Sequence, residues 1–198
     1  KIHSRKLMSL KLIKFFLIFT LFFFNKFLFA KEIWILDKEL SNINFEIPVL
    51  FANNVKGSFN DIEGIIEIDP DKKLNNKGIF SVKLESLKIN YNKYKSLLLS
   101  GVFFDIKNYP IALVDTKKFQ YKNEKKITIE VELNIKNISQ KLPVELEIIN
   151  LASELVQIKG NLKFPRTSFN LGEGTWSNTT ILREKVIVEL DFFLFKNN

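Results

Sequence analysis

Few side chains in this sequence are able to do chemistry, and most of those are carboxylates. Its 198 residues contain no cysteine, and the single histidine is His3. The rest of the chain therefore lacks the ligands of a zinc site of the usual kind. It also contains no cysteine nucleophile and no Ser–His pair. Asp37, Asp69 and Asp105 are candidates for a carboxylate-based enzyme, but no two of them stand out by spacing. We predict that the protein is not an enzyme and has no metal or resident cofactor.

One arginine is placed where an anion would fit. Arg166 ends an alternating, strand-like segment and is followed by Thr167 and Ser168. A guanidinium presents a planar fork of N–H donors that suits a phosphate or a carboxylate, and the two hydroxyls add hydrogen-bonding groups. The alternative is a structural ion pair with Asp105 or Glu173 that fixes the loop. The sequence leaves both interpretations open.

The positive charge of the chain is concentrated near its start. The formal net charge is +8, from 30 basic and 22 acidic residues. Residues 1–30 hold six of the basic residues and no acidic one, which leaves 24 basic against 22 acidic side chains in residues 31–198, a net charge of +2. A charge this small gives no support for a nucleic-acid partner.

Residues 1–30 have the composition of an export signal. Residues 1–14 are rich in lysine and arginine, Phe15 to Phe24 is apolar apart from Thr20, and Ala30 is a small residue suited to a cleavage site. The apolar run is shorter than the roughly 20 residues that span a bilayer. We therefore expect a Sec-type signal peptide over residues 1–30 and a periplasmic location for residues 31–198. The alternative is an uncleaved leader that anchors the protein in the membrane.

Alternating apolar and polar residues predict β-strands along most of the remaining chain. The clearest case is 126–137, in which five apolar residues from Ile127 to Ile135 alternate with polar ones. Because successive side chains of a strand point to opposite faces, this segment has one dry face and one wet face. Related patterns predict strands over Glu32–Asp37, Ser41–Val49, Val55–Asp69, Ile79–Ile89, Ile111–Tyr121, Lys126–Ile138, Val144–Ile149, Leu155–Phe164 and Lys185–Phe195.

Two features break this pattern. Gly57 and Gly64 fall inside a predicted strand, where glycines often mark bulges or sharp bends. Between Asn90 and Val102 the apolar residues have helical spacing, and alternation is already out of phase near Ser86. We expect one short helix in this connection.

About eight strands with one short helix indicate an all-β protein, and a closed antiparallel barrel is the architecture that we predict. Closure removes the exposed strand edges that otherwise invite aggregation. A barrel of about eight strands either fills with side chains or holds one small ligand. Periodicity does not decide between these interiors, and it leaves a two-sheet sandwich open.

The order of several short motifs resembles that of the YceI-like proteins, a bacterial family with a lipocalin-like barrel that holds polyisoprenoid lipids. The motifs cover nearly all of residues 32–195 and are, in chain order, Trp34-x-x-Asp37 with Ser41-x-Ile43-x-Phe45, Val55-x-Gly57-x-Phe59 with Gly64-x-Ile66 and Asp69-Pro70, Ser100-x-x-Phe103-Phe104-Asp105 with Tyr109-Pro110, and Phe164-x-Arg166-Thr167-x-Phe169-Asn170-Leu171-Gly172 with Trp176. The resemblance implies that residues 31–198 form an exported barrel domain that takes a long prenyl chain inside.

If the chain holds such a lipid, the types and positions of its residues predict where the lipid would bind. Its head, belonging to a polyprenyl phosphate or an isoprenoid quinone, would contact Arg166, Thr167 and Ser168. The isoprenoid tail would contact Phe45, Phe59, Phe80, Leu98, Phe103, Phe104, Val131, Phe164, Phe169 and Trp176. The expected function is storage, shielding or transfer of the lipid, with no bond broken.

Further partners and functions remain as expectations. The apolar outward positions Phe193 and Phe195 favour a homodimer. Lys93 and Lys95 offer a contact with an anionic membrane surface, although a solvated helix face is the simpler interpretation. Two other functions stay open, namely a stress-related barrel with a filled core that acts through protein partners and the carboxylate-based enzyme.

Overall fold

The computed structural model describes residues 31–70, 72 and 74–197, so the predicted signal peptide lies outside the described residues. This part of the chain forms one short helix, α1 (Lys95–Leu99), which follows a 3₁₀ turn at Asn92–Tyr94 and confirms the predicted helix. It also forms the strands β1 (Glu32–Leu36), β2 (Asn42–Ile47), β3 (Val55–Phe59), β4 (Ile62–Ile68), β5 (Lys77–Lys83), β6 (Lys88–Ile89), β7 (Ile111–Asp115), β8 (Lys126–Ile135), β9 (Ile138–Ala152), β10 (Leu155–Pro165) and β11 (Lys185–Asn197).

The strands form one antiparallel sheet that closes on itself. Eight of them follow one another around the barrel in the order β1-β4-β5-β7-β8-β9-β10-β11. The ring closes because β11 also pairs with β1, where Phe195 lies opposite Ile35. Closure gives hydrogen-bond partners to backbone groups that an open sheet would leave unpaired. The prediction of an all-β, closed antiparallel barrel of about eight strands is confirmed.

The first six strands are three longer strands that are each broken by a bend. β1 and β2 follow one another along the same edge of β11, β3 and β4 pair with β2 and β1, and β6 and β5 pair in turn with β3 and β4. At the first bend the Asp37 carboxylate accepts hydrogen bonds from the N–H groups of Glu39 and Leu40. At the third bend a 3₁₀ turn spans Leu84–Ser86, where the alternation loses its phase.

The second bend does not lie at the glycines that were predicted to mark it. Gly57 and Gly64 are inside β3 and β4, directly opposite Phe45 and Phe80 of the neighbouring strands, and the break falls at residues 60–61. The prediction that these glycines form bulges or bends is therefore wrong. Their missing side chains make room for aromatic rings instead.

β8 has the dry face that its alternation predicts. Its apolar side chains from Ile127 to Ile135 face the barrel interior, and four of the five are buried. The strand ends in a two-residue turn, Lys136 and Asn137, whose φ angles of 52° and 60° are those of a tight hairpin.

β7 is shorter than predicted, because it ends at Asp115 and not at Tyr121. Lys117 has a φ of 51°, a left-handed backbone conformation that an extended strand cannot continue through. Residues 116–125 therefore form a loop, held in place where the N–H of Phe119 donates to the carbonyl of Asn76 at 2.9 Å.

The barrel has two ends made by different connections. The end that we call the mouth carries the β4–β5, β7–β8 and β9–β10 connections, the start of β1 and the end of β11. The opposite end, which we call the closed end, carries the β2–β3 connection, α1 with the segment up to β7, the β8–β9 turn and the β10–β11 connection. None of the described helices is long and apolar enough to cross a lipid bilayer.

The outer wall carries a row of apolar side chains. Phe195, Ile35, Ile65 and Ile79 are direct cross-strand partners on β11, β1, β4 and β5, and between 41% and 48% of each is exposed. Phe195 thus faces outward, as its position in the sequence indicates. The homodimer inferred from Phe193 and Phe195 stays a prediction.

Candidate ligand-binding cavity

The barrel encloses an apolar cavity of about 500 Å³. This volume lies within the range of small-molecule sites in proteins, roughly 300–1,000 Å³. Most of the wall consists of inward-facing aliphatic and aromatic side chains of the barrel strands. The polar residues in the wall are Glu32, Thr116, Tyr121, Asn123, Asn150 and Arg166.

Most of the predicted tail-binding residues lie in the wall of this cavity. Phe169 and Trp176 are the exceptions, because each packs behind another aromatic residue: the Phe169 ring lies 5.1 Å from that of Phe164, and Trp176 lies 6.0 Å from Phe103. The predicted residues that do line the cavity are Phe45, Phe59, Phe80, Leu98, Phe103, Phe104, Val131 and Phe164. Their contact with a lipid stays a prediction.

Glycines keep large rings against the wall, which helps to leave the interior hollow. A Cβ atom on Gly64 would lie 2.2 Å from Cδ1 of Phe80, and one on Gly57 would lie 2.5 Å from Cε1 of Phe45. Each ring therefore occupies the space beside its cross-strand glycine. The Phe80 ring also stacks on Phe192 of β11 at 5.2 Å, which fixes its position further.

The segment between α1 and β7 closes one end of the cavity with phenylalanine rings. Phe103 is only 3% exposed, and the N–H of Phe104 donates to the carbonyl of Leu98 in α1 at 3.0 Å. The ring of Phe104 meets that of Phe59 edge to face at 5.8 Å. These contacts leave α1 anchored against the wall, so the cavity is blind at this end.

Arg166 is fully buried at the closed end, where its guanidinium binds backbone carbonyls. Nε donates to Arg183 at 3.2 Å, Nη1 to Leu171 at 2.7 Å, and Nη2 to Leu182 at 3.1 Å and Asn178 at 3.3 Å. Burial lowers the pKa of Arg166, and nearby Glu184 opposes that change. The side chain thus fixes the β10–β11 connection, although through carbonyls and not through the ion pair with Asp105 or Glu173 that was the alternative.

The other predicted head-group residues have protein partners too. The Thr167 hydroxyl makes a hydrogen bond to the Glu184 carboxylate, and the Ser168 hydroxyl donates to the carbonyl of Pro165 at 2.7 Å. Neither residue lines the cavity. A head-group role for Arg166, Thr167 and Ser168 stays a prediction. In the structure each of these side chains makes hydrogen bonds to other groups of the protein.

A second cation, missed in the sequence, joins the loops of the closed end. The Lys136 side chain is 9% exposed, and its Nζ donates to the carbonyls of Asn170 at 3.1 Å and Gly101 at 3.3 Å, with Glu173 at 3.4 Å. These bonds connect the β8–β9 turn to two other connections. The only sequence signal was its place beside Asn137 at a strand end, which indicates a turn and not a buried amine.

The cavity opens to solvent at the mouth. Wall residues near this end, such as Trp34, Ile66 and Ile148, face inward and yet are partly exposed, whereas Phe59 and Phe164 nearer the closed end are buried. Five of the six polar wall residues lie near the mouth, and one of them, Glu32, pairs with Lys196 at 2.8 Å.

Tyr121 and Asn150 are two of the mouth residues that sequence reasoning missed. Burial, and after it the charge of Glu124, raises the pKa of the Tyr121 hydroxyl, so this group stays a neutral hydrogen-bond donor. A signal was present for Asn150, since it continues the inward phase of Leu146 and Ile148 as a polar residue at a strand end.

The carboxylates considered for an enzyme are not part of the cavity. Asp37 and Asp69 accept backbone N–H groups in turns, and Asp105 accepts from the side chain of Asn108 at 2.9 Å. None of the three lines the wall, and Glu32 is the only carboxylate that does among the described residues. Across that same part of the chain, no group of three or more His, Cys, Asp or Glu residues is arranged to hold a metal ion.

Comparisons with known proteins agree with this architecture. The family model for the YceI-like domain matches residues 34–194. A UPF0312 protein of Vibrio campbellii is 24% identical over 114 residues, and a second one of Vibrio parahaemolyticus is equally similar. The matched segment covers 58% of this chain and 60% of each relative.

Several solved structures share the fold. Burkholderia cenocepacia BcnA has a TM-score of 0.72 at 20% identity, over 80% of this chain and 98% of that one. A polyisoprenoid-binding domain from Saccharophagus degradans, implicated in plant cell wall breakdown, has a TM-score of 0.67 at 13% identity, over 83% and 98%. The YCEI protein of Campylobacter jejuni has a TM-score of 0.65 at 23% identity, over 77% and 90%.

Proposed function

Because this chain belongs to the YceI-like family, we propose that it is an exported lipid-binding protein that holds an isoprenoid chain in its barrel. The lipid is a polyprenyl phosphate or an isoprenoid quinone, and the role is storage, shielding or transfer. The observation that carries the proposal is the apolar cavity, blind at one end and open at the other. The similar barrel from Saccharophagus degradans, a polyisoprenoid-binding domain, supports the same ligand class.

The driving force is the removal of apolar surface from water. Each Å² of prenyl surface that enters the cavity contributes roughly 25 cal/mol before ordering costs. The wall near the closed end has no polar side chain apart from Arg166, and the hydrogen bonds of Arg166 go to backbone carbonyls. That region therefore suits a hydrocarbon tail.

The polar head of the lipid belongs at the mouth in this proposal. Thr116, Tyr121, Asn123 and Asn150 lie there with hydrogen-bonding groups, and solvent is within reach. A charged head buried at the closed end would lose its hydration without an equivalent set of free donors. This orientation of the lipid thus differs from the head-group contact with Arg166 that the sequence predicts.

The proposed location is the periplasm, reached through the signal peptide predicted over residues 1–30. The composition of those residues supports export. N-terminal sequencing of the protein secreted by a bacterial host should begin near Lys31. A leader still attached after export would favour the membrane-anchored alternative.

The cavity distinguishes this proposal from the two other functions considered. A barrel that acts only through protein partners needs no hollow interior, and an enzyme of the carboxylate type needs acids that reach its substrate. Here the interior is hollow, and Asp37, Asp69 and Asp105 lie outside the cavity wall. These observations favour a lipid carrier.

The first test is direct. Protein purified from the periplasm of a Gram-negative host would be extracted with organic solvent, and the extract analysed by mass spectrometry. We expect isoprenoid lipid in the extract, or tight binding of an added fluorescent farnesyl probe. Protein that neither carries an isoprenoid nor binds the probe would contradict the proposal.

A pair of neighbouring substitutions shows whether the probe enters the barrel. Ala112 is 6% exposed and lines the cavity, whereas Leu113 is 47% exposed and points outward from the same strand. We expect Ala112→Trp to weaken probe binding about tenfold or more, because the indole takes up cavity volume. Leu113→Trp should bind the probe as the unmodified protein does. If Ala112→Trp impairs folding, Ala112→Leu takes its place, and we expect it to weaken probe binding to a smaller extent.

A further inference from the structure

The β7–β8 connection has two chemically different edges. We define the mouth loop as residues 116–125, of which Phe119 and Tyr121 line the cavity and are half-buried. Lys118 and Lys122, which flank this pair in the chain, are exposed. The loop therefore presents aromatic rings to the cavity and ammonium groups to the outside.

Several lysines at this edge have no acidic partner. The mouth loop contains four lysines and one acidic residue, Glu124, and Lys126 follows it directly. Lys117 pairs with Asp115 and Glu132, and Lys125 pairs with Glu147. Among the described residues, the ammonium groups of Lys118, Lys122 and Lys126 form no ion pair with a carboxylate, so their charge is available to an external anion.

Two exposed apolar side chains lie at the mouth on either side of the mouth loop, one in a connection and one at the end of a strand. Leu74, between β4 and β5, is 65% exposed, and Leu151, in the last residues of β9, is 49% exposed. The β4–β5 connection and the end of β9 belong to the same end of the barrel as the mouth loop. Uncompensated lysines combined with protruding apolar side chains are typical of surfaces that lie in a membrane interface.

We propose that the mouth end docks on an anionic lipid bilayer, with the lysines of the mouth loop against phosphate groups and the two leucines at the acyl boundary. Docking in this orientation places the entrance of the cavity on the surface from which a lipid would leave. The tail would then enter between Phe119 and Tyr121 with little exposure to water. This inference depends on the proposed function for its purpose, although not for its test.

A bilayer fits these observations better than a protein partner. The cations lie on a loop beside the cavity opening, and the exposed leucines are on separate elements, the β4–β5 connection and the end of β9, and not on one continuous apolar face. A bilayer presents a dense array of phosphates and requires no shape complementarity from the mouth end of the barrel. The lysines predicted to contact a membrane are at the closed end, Lys93 in the 3₁₀ turn before α1 and Lys95 at the start of α1, so this proposal assigns the contact to the opposite end.

The test uses two double variants with the same change in charge. The mouth variant is Lys118→Glu with Lys122→Glu, and the control at the closed end is Lys93→Glu with Lys95→Glu. Binding of the full domain to phosphatidylglycerol-containing vesicles would be measured by cosedimentation, with phosphatidylcholine vesicles as the neutral reference. Because each lysine near an anionic surface contributes about a factor of five, we expect the mouth variant to bind about 25-fold more weakly or worse.

A second pair tests the apolar part of the surface. Leu151→Ser removes an exposed side chain at the mouth, and Ile181→Ser removes one that is 65% exposed at the closed end. We expect only Leu151→Ser to weaken vesicle binding, by a few-fold, since it shortens the apolar contact with the interface. Added salt should weaken binding of the unmodified protein to anionic vesicles.

The outcomes separate docking from lipid carriage. Equal binding of the mouth variant and the unmodified protein, equal losses in both double variants, or equal binding to neutral vesicles would overturn the docking proposal. The farnesyl probe is added to the same proteins without vesicles. If the mouth variant no longer binds vesicles but still binds the probe, the result supports docking. If none of the proteins binds the probe, the result refutes the carrier function and leaves the docking proposal unaffected.

Discussion

At the closed end of the barrel the decisive polar contacts are buried, whereas at the mouth they lie on the surface. Arg166 is 0% exposed and binds four carbonyls, and the Lys136 side chain is 9% exposed and binds two carbonyls and Glu173. At the mouth, the Lys196–Glu32 and Lys117–Asp115 pairs have side chains that are between 29% and 55% exposed.

This difference between the two ends shows how one barrel combines a stable fold with an opening for a ligand. Buried cations with several acceptors are costly to lose, because the acceptors are left without partners in a region that water does not reach. Exposed ion pairs contribute little, since water and salt replace them easily. The closed end is therefore expected to carry the stability of the fold, and the mouth is left free to admit a ligand.

The largest effect is expected from Arg166→Met. The change leaves four carbonyls of the β10–β11 connection without their donor, and we expect the free energy of unfolding to fall by about 4 kcal/mol. Urea denaturation followed by tryptophan fluorescence would measure it. Arg166→Lys should restore only part of the loss, because an ammonium lacks the planar fork.

The matched change at the mouth is Lys196→Met, which breaks the ion pair with Glu32. Here we expect a loss below about 1 kcal/mol. Similar losses for Arg166→Met and Lys196→Met would remove the basis for the comparison of the two ends.

Two lysines allow the comparison to be made with the same substitution and the same backbone. Lys136 at the closed end and Lys117 at the mouth have φ angles of 52° and 51°, so replacement by methionine leaves any left-handed strain unchanged. We expect Lys136→Met to cost about 2 kcal/mol, since it removes a nearly buried donor, and Lys117→Met to cost less than about 1 kcal/mol. Chemical denaturation would measure both, and a larger cost at Lys117 would reverse the assignment of stability to the closed end.

Most of the fold could be predicted because alternation is a local signal. The period of two along β8 identifies both the strand and its inward face, and the loss of phase near Ser86 marks a real bend. The early end of β7 was missed although the alternation loses its phase there, since the inward residues Ala112 and Val114 are at even positions and the apolar residues Phe119 and Tyr121 are at odd ones. Lys117, between them, takes the left-handed conformation that ends the strand. Gly64 was misinterpreted because a strand glycine marks either a bend or the place of a neighbouring ring.

The candidate site was less predictable, because it depends on which residues meet across the barrel. Most of the apolar wall followed from inward phase and from the resemblance to known barrels. The role of Arg166 did not, since its acceptors are backbone carbonyls that have no signature in the sequence. The mouth was missed because Glu32, Tyr121 and Asn150 are far apart in the chain and come together only when the sheet closes.

The smallest expected effect is in the pH dependence of the two lysine variants. Burial alone would raise the pKa of the Asp115 carboxyl, but the backbone N–H and the ammonium of Lys117 outweigh it and lower the pKa. A carboxylate whose pKa is lowered by folding adds stability above its unfolded pKa and loses it as the pH falls through the folded value. As the pH falls from about 7 to about 3, the loss of unfolding free energy caused by Lys117→Met should therefore shrink, by less than about 1 kcal/mol. The cost of Lys136→Met should largely persist, because carbonyl acceptors do not titrate, and an equal decline in both variants would show that Glu173 and not the carbonyls holds Lys136.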